Sequence, residues 1–280
     1  MKISKTILVA TPGLAVDLLA AAVPELSKGR LKDAMNKGAV IWRRGKQTKR
    51  LRRAQSPVAA GEQLELNYDD DLLSRQCEAA VLLADERTFS VWYKPPGMLS
   101  QGNEWGDHLS LLRFAEQQLG NRAVFLIHRL DREASGLLLL AHSPKLAAAL
   151  SQLIAGRQMA KHYQVLVRGK LADELLHKGV IDLPLDGKKC ETHFKLAGVQ
   201  PSAQHTLLDI QLISGRKHQI RRHFAAIGHA VMGDPRYGEQ NQDPAGLGLQ
   251  AVELSFQFAG QPKLYHYTLP KALRRYAGTN

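Results

Sequence analysis

Cysteine is nearly missing. The 280 residues hold two, Cys77 and Cys190, far apart and in no CxxC pair. That argues against a disulfide framework and a thiolate zinc cluster, and it suits a reducing cytoplasm. No apolar run approaches the length of a bilayer crossing, so no membrane partner is expected. Residues 1–23 open with Lys2, Lys5 and apolar positions, but Pro12, Gly13 and Asp17 interrupt them, and the segment reads as folded chain instead of a secretory leader. The sequence also lacks a GxxxxGK[ST] phosphate loop, a GxGxxG turn, an HExxH pair and a GxSxG elbow. His218 and His223 are five positions apart and do not share the helix face that zinc requires. No cofactor and no metal are therefore expected. There is no internal repeat and no low-complexity tract.

What is present is positive charge on a chain with a proper core. Hydrophobic residues make up 44%, and 38 Lys and Arg against 26 Asp and Glu leave a net charge of +12. This excludes wholesale disorder and points to a polyanionic partner. The charge is concentrated in residues 42–53, where Arg43, Arg44, Lys46, Lys49, Arg50, Arg52 and Arg53 occur without an acid. Cations so crowded are expected to be solvated or met by an anion. Upstream, Leu31, Ala34 and Met35 give an i, i+3, i+4 stripe that predicts a short helix stopped at Gly38. Downstream, Leu64 and Leu66 alternate with Glu65 and Asn67 as in a strand. A small N-terminal module at 1–75 and a larger domain at 76–280 are expected.

The larger domain reads as mixed α and β. Residues 81–83, 89–93, 124–127, 137–141, 162–168 and 208–212 are strand candidates. Ser143 and Pro144 predict an N-cap and first helical residue, followed by an apolar stripe from Leu146 to Ile154 that Gly156 ends. Ser214-Gly215 is expected to open a second helix from about Arg216 to Ile227.

Three polar clusters interrupt this pattern. In His128-Arg129-Leu130-Asp131-Arg132-Glu133, five titratable side chains lie between two apolar strands. They form either a solvated loop, with Asp131 paired to Arg129 or Arg132, or a carboxylate displayed in a cleft and held ionised by arginine. In the second helix, Ile220, Phe224 and Ile227 define the buried face, and at 100° per residue Arg216 lies within about 40° of it. An inward arginine there either snorkels or pairs with a site carboxylate, for which Asp131 is the natural candidate. Arg221 and Arg222 read as a basic outer face suited to a phosphate backbone. In Lys161-His162-Tyr163-Gln164, Tyr163 is either a core ring or a platform for a nucleobase.

At HRLDREASGLLLLA, residues 128–141, the chain closely resembles the RluA-type pseudouridine synthases. Lys94-Pro95-Pro96-Gly97, Lys161-His162-Tyr163-Gln164, Gly215-Arg216-Lys217-His218-Gln219-Ile220-Arg221 and residues 228–238 follow the family's order. Residues 27–40, with the strand ending near Leu66, resemble a divergent version of the RNA-binding module named for ribosomal protein S-four. The resemblance implies an α+β fold: a central mixed, mostly antiparallel sheet flanked by helices, with a small N-terminal α/β RNA-binding module. It implies a cytoplasmic isomerase that converts uridine to pseudouridine in ribosomal RNA or tRNA, with Asp131 as the catalytic carboxylate. It further implies that Tyr163 packs against the uracil, that Arg216 pairs with Asp131, and that Arg129 holds the flipped nucleotide's place or its phosphates. Structured RNA is the implied partner, and no protein partner is implied. Gln250 stands where the family usually has histidine. The competing class is a non-catalytic RNA-binding or ribosome-assembly factor on the same fold; a small-molecule glycosidase would leave the basic run unexplained.

Overall fold

The computed structural model describes residues 1–197, 204–212 and 215–276. The chain divides into two compact units, Met1–Cys77 with Leu99–Asn121, and Glu78–Met98 with the chain from Arg122 onward. The sequence boundary at 75 therefore omits the return of Leu99–Asn121 to the first unit. Nothing local marks that return, because it depends on contacts between residues far apart in the chain.

In the first unit, strands Lys2–Leu8, Gln63–Asp69, Val40–Arg44 and Gln47–Arg50 pair in that order, each antiparallel to its neighbour. Helices Ala15–Ala22 and Lys28–Asn36 cover the sheet's apolar residues. Ser27 caps the second helix by accepting from the Arg30 N–H (3.3 Å), and the predicted stripe of Leu31, Ala34 and Met35 is fully buried with Leu19, Leu64 and Leu66. Such burial removes roughly 1.5–3 kcal/mol worth of apolar surface from water per large side chain.

The cationic run forms the hairpin of strands Val40–Arg44 and Gln47–Arg50 and the segment that follows. Distant acids neutralise much of it. Arg43 holds Glu65 (2.8 Å), Arg44 approaches Glu62 (3.7 Å), and Arg50 and Arg52 converge on Asp107. Arg50 also donates to the carbonyls of Gly38 and Asn103, and Arg52 to that of Asn36. Four of the seven cations are thus met by anions, and these are side chains of the protein itself. Lys46, Lys49 and Arg53 are exposed, with the Lys49 ammonium 4.5 Å from the centre of the Trp42 ring.

In the second unit, ten strands form one sheet among the described residues. Its main path runs Val180–Ile181, Thr192–Leu196, His205–Leu212, Met159–Arg168, Leu249–Gln257, Ser135–Ala141, Phe89–Lys94, Val81–Asp85. Neighbours are antiparallel except Ser135–Ala141 with Leu249–Gln257, which run parallel. Ser135–Ala141 is buried along its whole length, as its unbroken apolar run requires. Helix Pro144–Ala155 packs Leu150 and Leu153 against Phe89, Leu137, Leu139 and Phe256, with Ser143 accepting from the Leu146 N–H (3.2 Å). Helix Gln219–Ala226 sets Phe224 edge-on to Phe194, with ring centres 5.4 Å apart.

Gln250 is part of this scaffold. It donates to Ser135 Oγ (3.1 Å) and the Leu273 carbonyl (3.0 Å) and accepts from the Arg275 N–H (2.9 Å), tying the C-terminal segment to the sheet. Gly136, with φ of 115°, lies where a Cβ would overlap the backbone of Ala251 on the parallel neighbour. Gly136→Ala is expected to lower unfolding stability by about 2–4 kcal/mol, because the partner is backbone and cannot yield. Urea denaturation of the two proteins measures the difference.

Candidate active site

Asp131 sits in the connection that enters strand Ser135–Ala141, and a buried lysine shapes that connection. Lys94 is fully buried at the end of its own strand, and its ammonium donates to the carbonyls of Pro95 (2.9 Å), Met98 (2.8 Å) and Arg132 (3.2 Å). The Gly97 N–H donates to the same Arg132 carbonyl (2.8 Å). The Lys94-Pro95-Pro96-Gly97 turn thus grips the backbone one residue past Asp131. On the other side Leu130 is buried, and His128 Nε2 accepts from the Leu139 N–H (3.3 Å). Burial, with Lys161 nearby, pushes the His128 imidazole down to about 3, so it serves as a neutral acceptor at any working pH. Arg132 turns aside to Glu133 (2.8 Å), and Arg129 is exposed. The Asp131 side chain keeps 24% of its surface open, so it is held and still reachable.

The cation that meets Asp131 is Arg221, not Arg216. Arg221 Nη1 donates to Asp131 Oδ2 at 2.8 Å, while its Nε and Nη2 bond both oxygens of Asp234 at 2.7 and 2.8 Å. Arg216 is exposed and lies before the helix, which begins only at Gln219 after a left-handed turn at His218. The helical wheel cannot be carried back across that turn. Ser214 lies outside the described residues. The assignment of Arg221 to a basic outer face is corrected for a second reason. Gln219, Ile220, Arg221, His223 and Phe224 are all buried, so the buried arc reaches about 100° to either side of Ile220. Arg222 does face outward, where it forms a two-pronged pair with Asp186 (2.9 Å for each bond).

Asp234 completes the arrangement. It is fully buried and accepts from the N–H groups of Arg236 (2.8 Å) and Tyr237 (3.1 Å) as well as from Arg221. Burial opposes its charge, but these donors outweigh burial and hold its carboxyl below the ordinary range. Burial likewise opposes the Arg221 charge, and its bonds to Asp234 and Asp131 more than offset that, raising its pKa. Asp234 belongs to a motif visible in the sequence, but its role was not legible there. The available signal was an acid just past the apolar stretch Ala230-Val231-Met232 and the glycine that ends it.

Tyr163 lies on strand Met159–Arg168 opposite Ile210, which in turn lies opposite Phe194. Directly paired residues share a sheet face, so Tyr163 is on the face where Phe224 packs. A register shift between His162 and Tyr163 interrupts the pairing with Leu249–Gln257 at this point, the kind of irregularity that re-aims a side chain. Burial raises the Tyr163 phenol, and the Asp131 charge raises it further. The side chain therefore offers a ring and a neutral hydroxyl, and it is no base at neutral pH. Among the described residues, no group of three or more His, Cys, Asp or Glu is placed to hold a metal ion, and no helix is long and apolar enough to cross a membrane.

Residues 88–226 match the family described as RNA pseudouridylate synthase. A tRNA pseudouridine synthase C of Haemophilus ducreyi is 31% identical, over 71% of this chain and 88% of the relative. A ribosomal large subunit pseudouridine synthase D of Nitrosomonas europaea is 29% identical, over 92% of this chain and 82% of the relative. Among solved structures, human RNA Pseudouridylate Synthase Domain Containing 1 matches with a TM-score of 0.58 at 20% identity, over 70% of this chain and 85% of that one. The chain belongs to the RNA pseudouridylate synthase family, whose members are isomerases.

Asp234 also makes a pH prediction. Its folded pKa is lowered, so its contribution is complete above the unfolded value near 4 and disappears as pH falls through the depressed folded value. Asp234→Asn is expected to lose about 3 kcal/mol at pH 7, since it leaves the buried Arg221 under-compensated. The variant should then lose less than the wild type on acidification to pH 3. Thermal unfolding at the two pH values measures both effects.

Proposed function

We propose that the chain isomerises uridine to pseudouridine within a structured RNA, with Asp131 as the catalytic carboxylate. The observation that carries this reading is the position of Asp131: partly open, fixed through Oδ2 to a buried arginine, and electrostatically coupled to a buried tyrosine. A surface carboxylate paired for solubility has no need of a buried arginine that is itself anchored by a second buried carboxylate.

The reaction breaks the C1′–N1 bond, turns the uracil and forms C1′–C5. C5 gives up its proton and N1 gains one, so no redox partner, water or activated donor enters the balance. The base must first leave its stack, which costs a few kcal/mol that phosphate contacts can offset. Asp131 can then act on the anomeric carbon, abstract a ribose proton or add to the base. Each route requires the ionised carboxylate, and Arg221 supplies a fixed counter-charge without blocking Oδ1. Tyr163 supplies the ring against which the extruded uracil packs. Arg129, which is exposed, is assigned to holding the vacated position or its phosphates.

The RNA is ribosomal or transfer RNA, the two classes named in the relatives, and the work is assigned to the cytoplasm. The first unit is read as a divergent module of the ribosomal protein S-four type. Its phosphate contacts are assigned to the cations that do not hold internal acids, Lys46, Lys49 and Arg53, with exposed Arg44 beside them.

Two tests follow. Asp131→Asn is expected to abolish pseudouridine formation on unmodified ribosomal and transfer RNA transcripts while leaving RNA affinity within about twofold, a margin small on the scale of one phosphate contact. Appreciable turnover by the variant contradicts the assignment. Replacing Lys46, Lys49 and Arg53 together by alanine should weaken RNA binding and reduce the slope of log affinity against log salt by about 0.7–0.9 for each phosphate no longer neutralised. An unchanged slope removes the hairpin from the RNA interface.

A further inference from the structure

Arg221 accounts for one oxygen of Asp131, and the other faces a histidine. His218 Nε2 lies 3.5 Å from Asp131 Oδ1, and its Nδ1 lies 2.8 Å from the Tyr237 hydroxyl. His218 adopts a left-handed φ of 54° at the start of helix Gln219–Ala226, a conformation that non-glycine residues seldom take outside constrained sites. That turn aims its ring between Tyr237 and Asp131. Tyr237 is fixed in its own right. Its N–H donates to Asp234 Oδ1 (3.1 Å), its ring lies 5.2 Å from the Arg221 guanidinium, and it meets the His218 ring edge-on at 5.6 Å. Asp234 therefore governs both oxygens of Asp131, one through Arg221 and the other through Tyr237 and His218.

The arrangement selects a tautomer. A neutral Tyr237 hydroxyl can donate to Nδ1, which leaves the neutral imidazole's proton on Nε2, facing Oδ1. At 3.5 Å that N–H is beyond a good hydrogen bond, near enough to steer Oδ1 and loose enough to leave it available. We infer that His218, oriented by Tyr237, is a positioning residue for Asp131: neutral, it steers Oδ1 toward the reacting atoms, and protonated, it captures Oδ1 in an ion pair and stops turnover. This rests on the reading of Asp131 as the catalytic carboxylate.

The charges around His218 set the sign of the switch. Burial is the largest influence and favours the neutral ring; Asp131 favours the imidazolium; Arg221, Arg236 and Lys217 oppose it. The net effect lowers the pKa below the ordinary histidine value, which favours the neutral ring at pH 7. Activity should accordingly fall on the acid side of that value.

The test uses the full chain and two independent readouts. The first is the NMR titration of the His218 ring in the wild type, Tyr237→Phe and Asp131→Asn. Tyr237→Phe is expected to raise the midpoint by roughly half a unit or more, through loss of the hydrogen bond that favours the neutral ring. Asp131→Asn is expected to lower it. The second is the pH profile of tritium release from unmodified ribosomal and transfer RNA transcripts whose uridines carry tritium at C5. His218→Gln keeps an N–H donor but cannot titrate. Its acid limb should move to lower pH, with the plateau kcat down about tenfold, the scale of one weakened hydrogen bond to a charged group, and KM unchanged. Tyr237→Phe should move the limb up by its NMR shift. A His218 midpoint unmoved in both variants, or a wild-type acid limb in His218→Gln, overturns the inference. Wild-type protein that releases no tritium refutes the proposed function instead, and the titrations still decide whether His218 and Asp131 are coupled.

Discussion

A guanidinium held between two carboxylates organises the second unit. Arg221 is almost entirely buried, and a buried cation is tolerable only if its donors are satisfied with good geometry. Asp234 satisfies it on one side with both oxygens and is itself pinned by two backbone N–H groups. Its third nitrogen, Nη1, reaches out to Asp131. The asymmetry gives the two acids different duties. Asp234 is sealed and spends its bonds on anchoring, while Asp131 receives one bond from Arg221 and keeps part of its surface open.

The scaffold explains why Asp131 can be held so closely. Its connection is gripped at the Arg132 carbonyl by Lys94 and Gly97, and it feeds a strand whose every residue is buried. Gly136 lets that strand approach Leu249–Gln257 where the two run parallel. A site built on such elements keeps its geometry better than one carried by a free loop. In the proposed function these elements supply a fixed charge, a flat buried ring at Tyr163 and an open carboxylate oxygen for the isomerisation.

Much of this was legible in the sequence wherever the signal was local. Ser143-Pro144 and the stripe to Ile154 marked a helix, the stripe from Leu31 to Met35 marked another, and the alternations at 162–168 and 208–212 marked strands that the structure contains. The ordered motifs identified the family. Pairings between distant residues were not legible. The helical wheel selects Arg216 for Asp131 and places Arg221 outside, because it runs through the left-handed turn at His218, after which the helix only begins. The cations at 43–53 looked unpaired because Glu62, Glu65 and Asp107 meet them only after the first unit folds. Nor could composition reveal that helix Gln219–Ala226 is buried on two sides, which turns an apparent surface arginine into the hub of the site.

The central claim is that this carboxylate, so clamped, performs the isomerisation in RNA. Mapping pseudouridines in the total RNA of cells that lack the gene, and of the same cells given back either the wild-type or the Asp131→Asn protein, tests it most directly. The account predicts that particular ribosomal or transfer RNA positions lose pseudouridine on deletion, regain it with the wild type and remain uridine with the variant. Full restoration by Asp131→Asn, or no lost position on deletion, would contradict it.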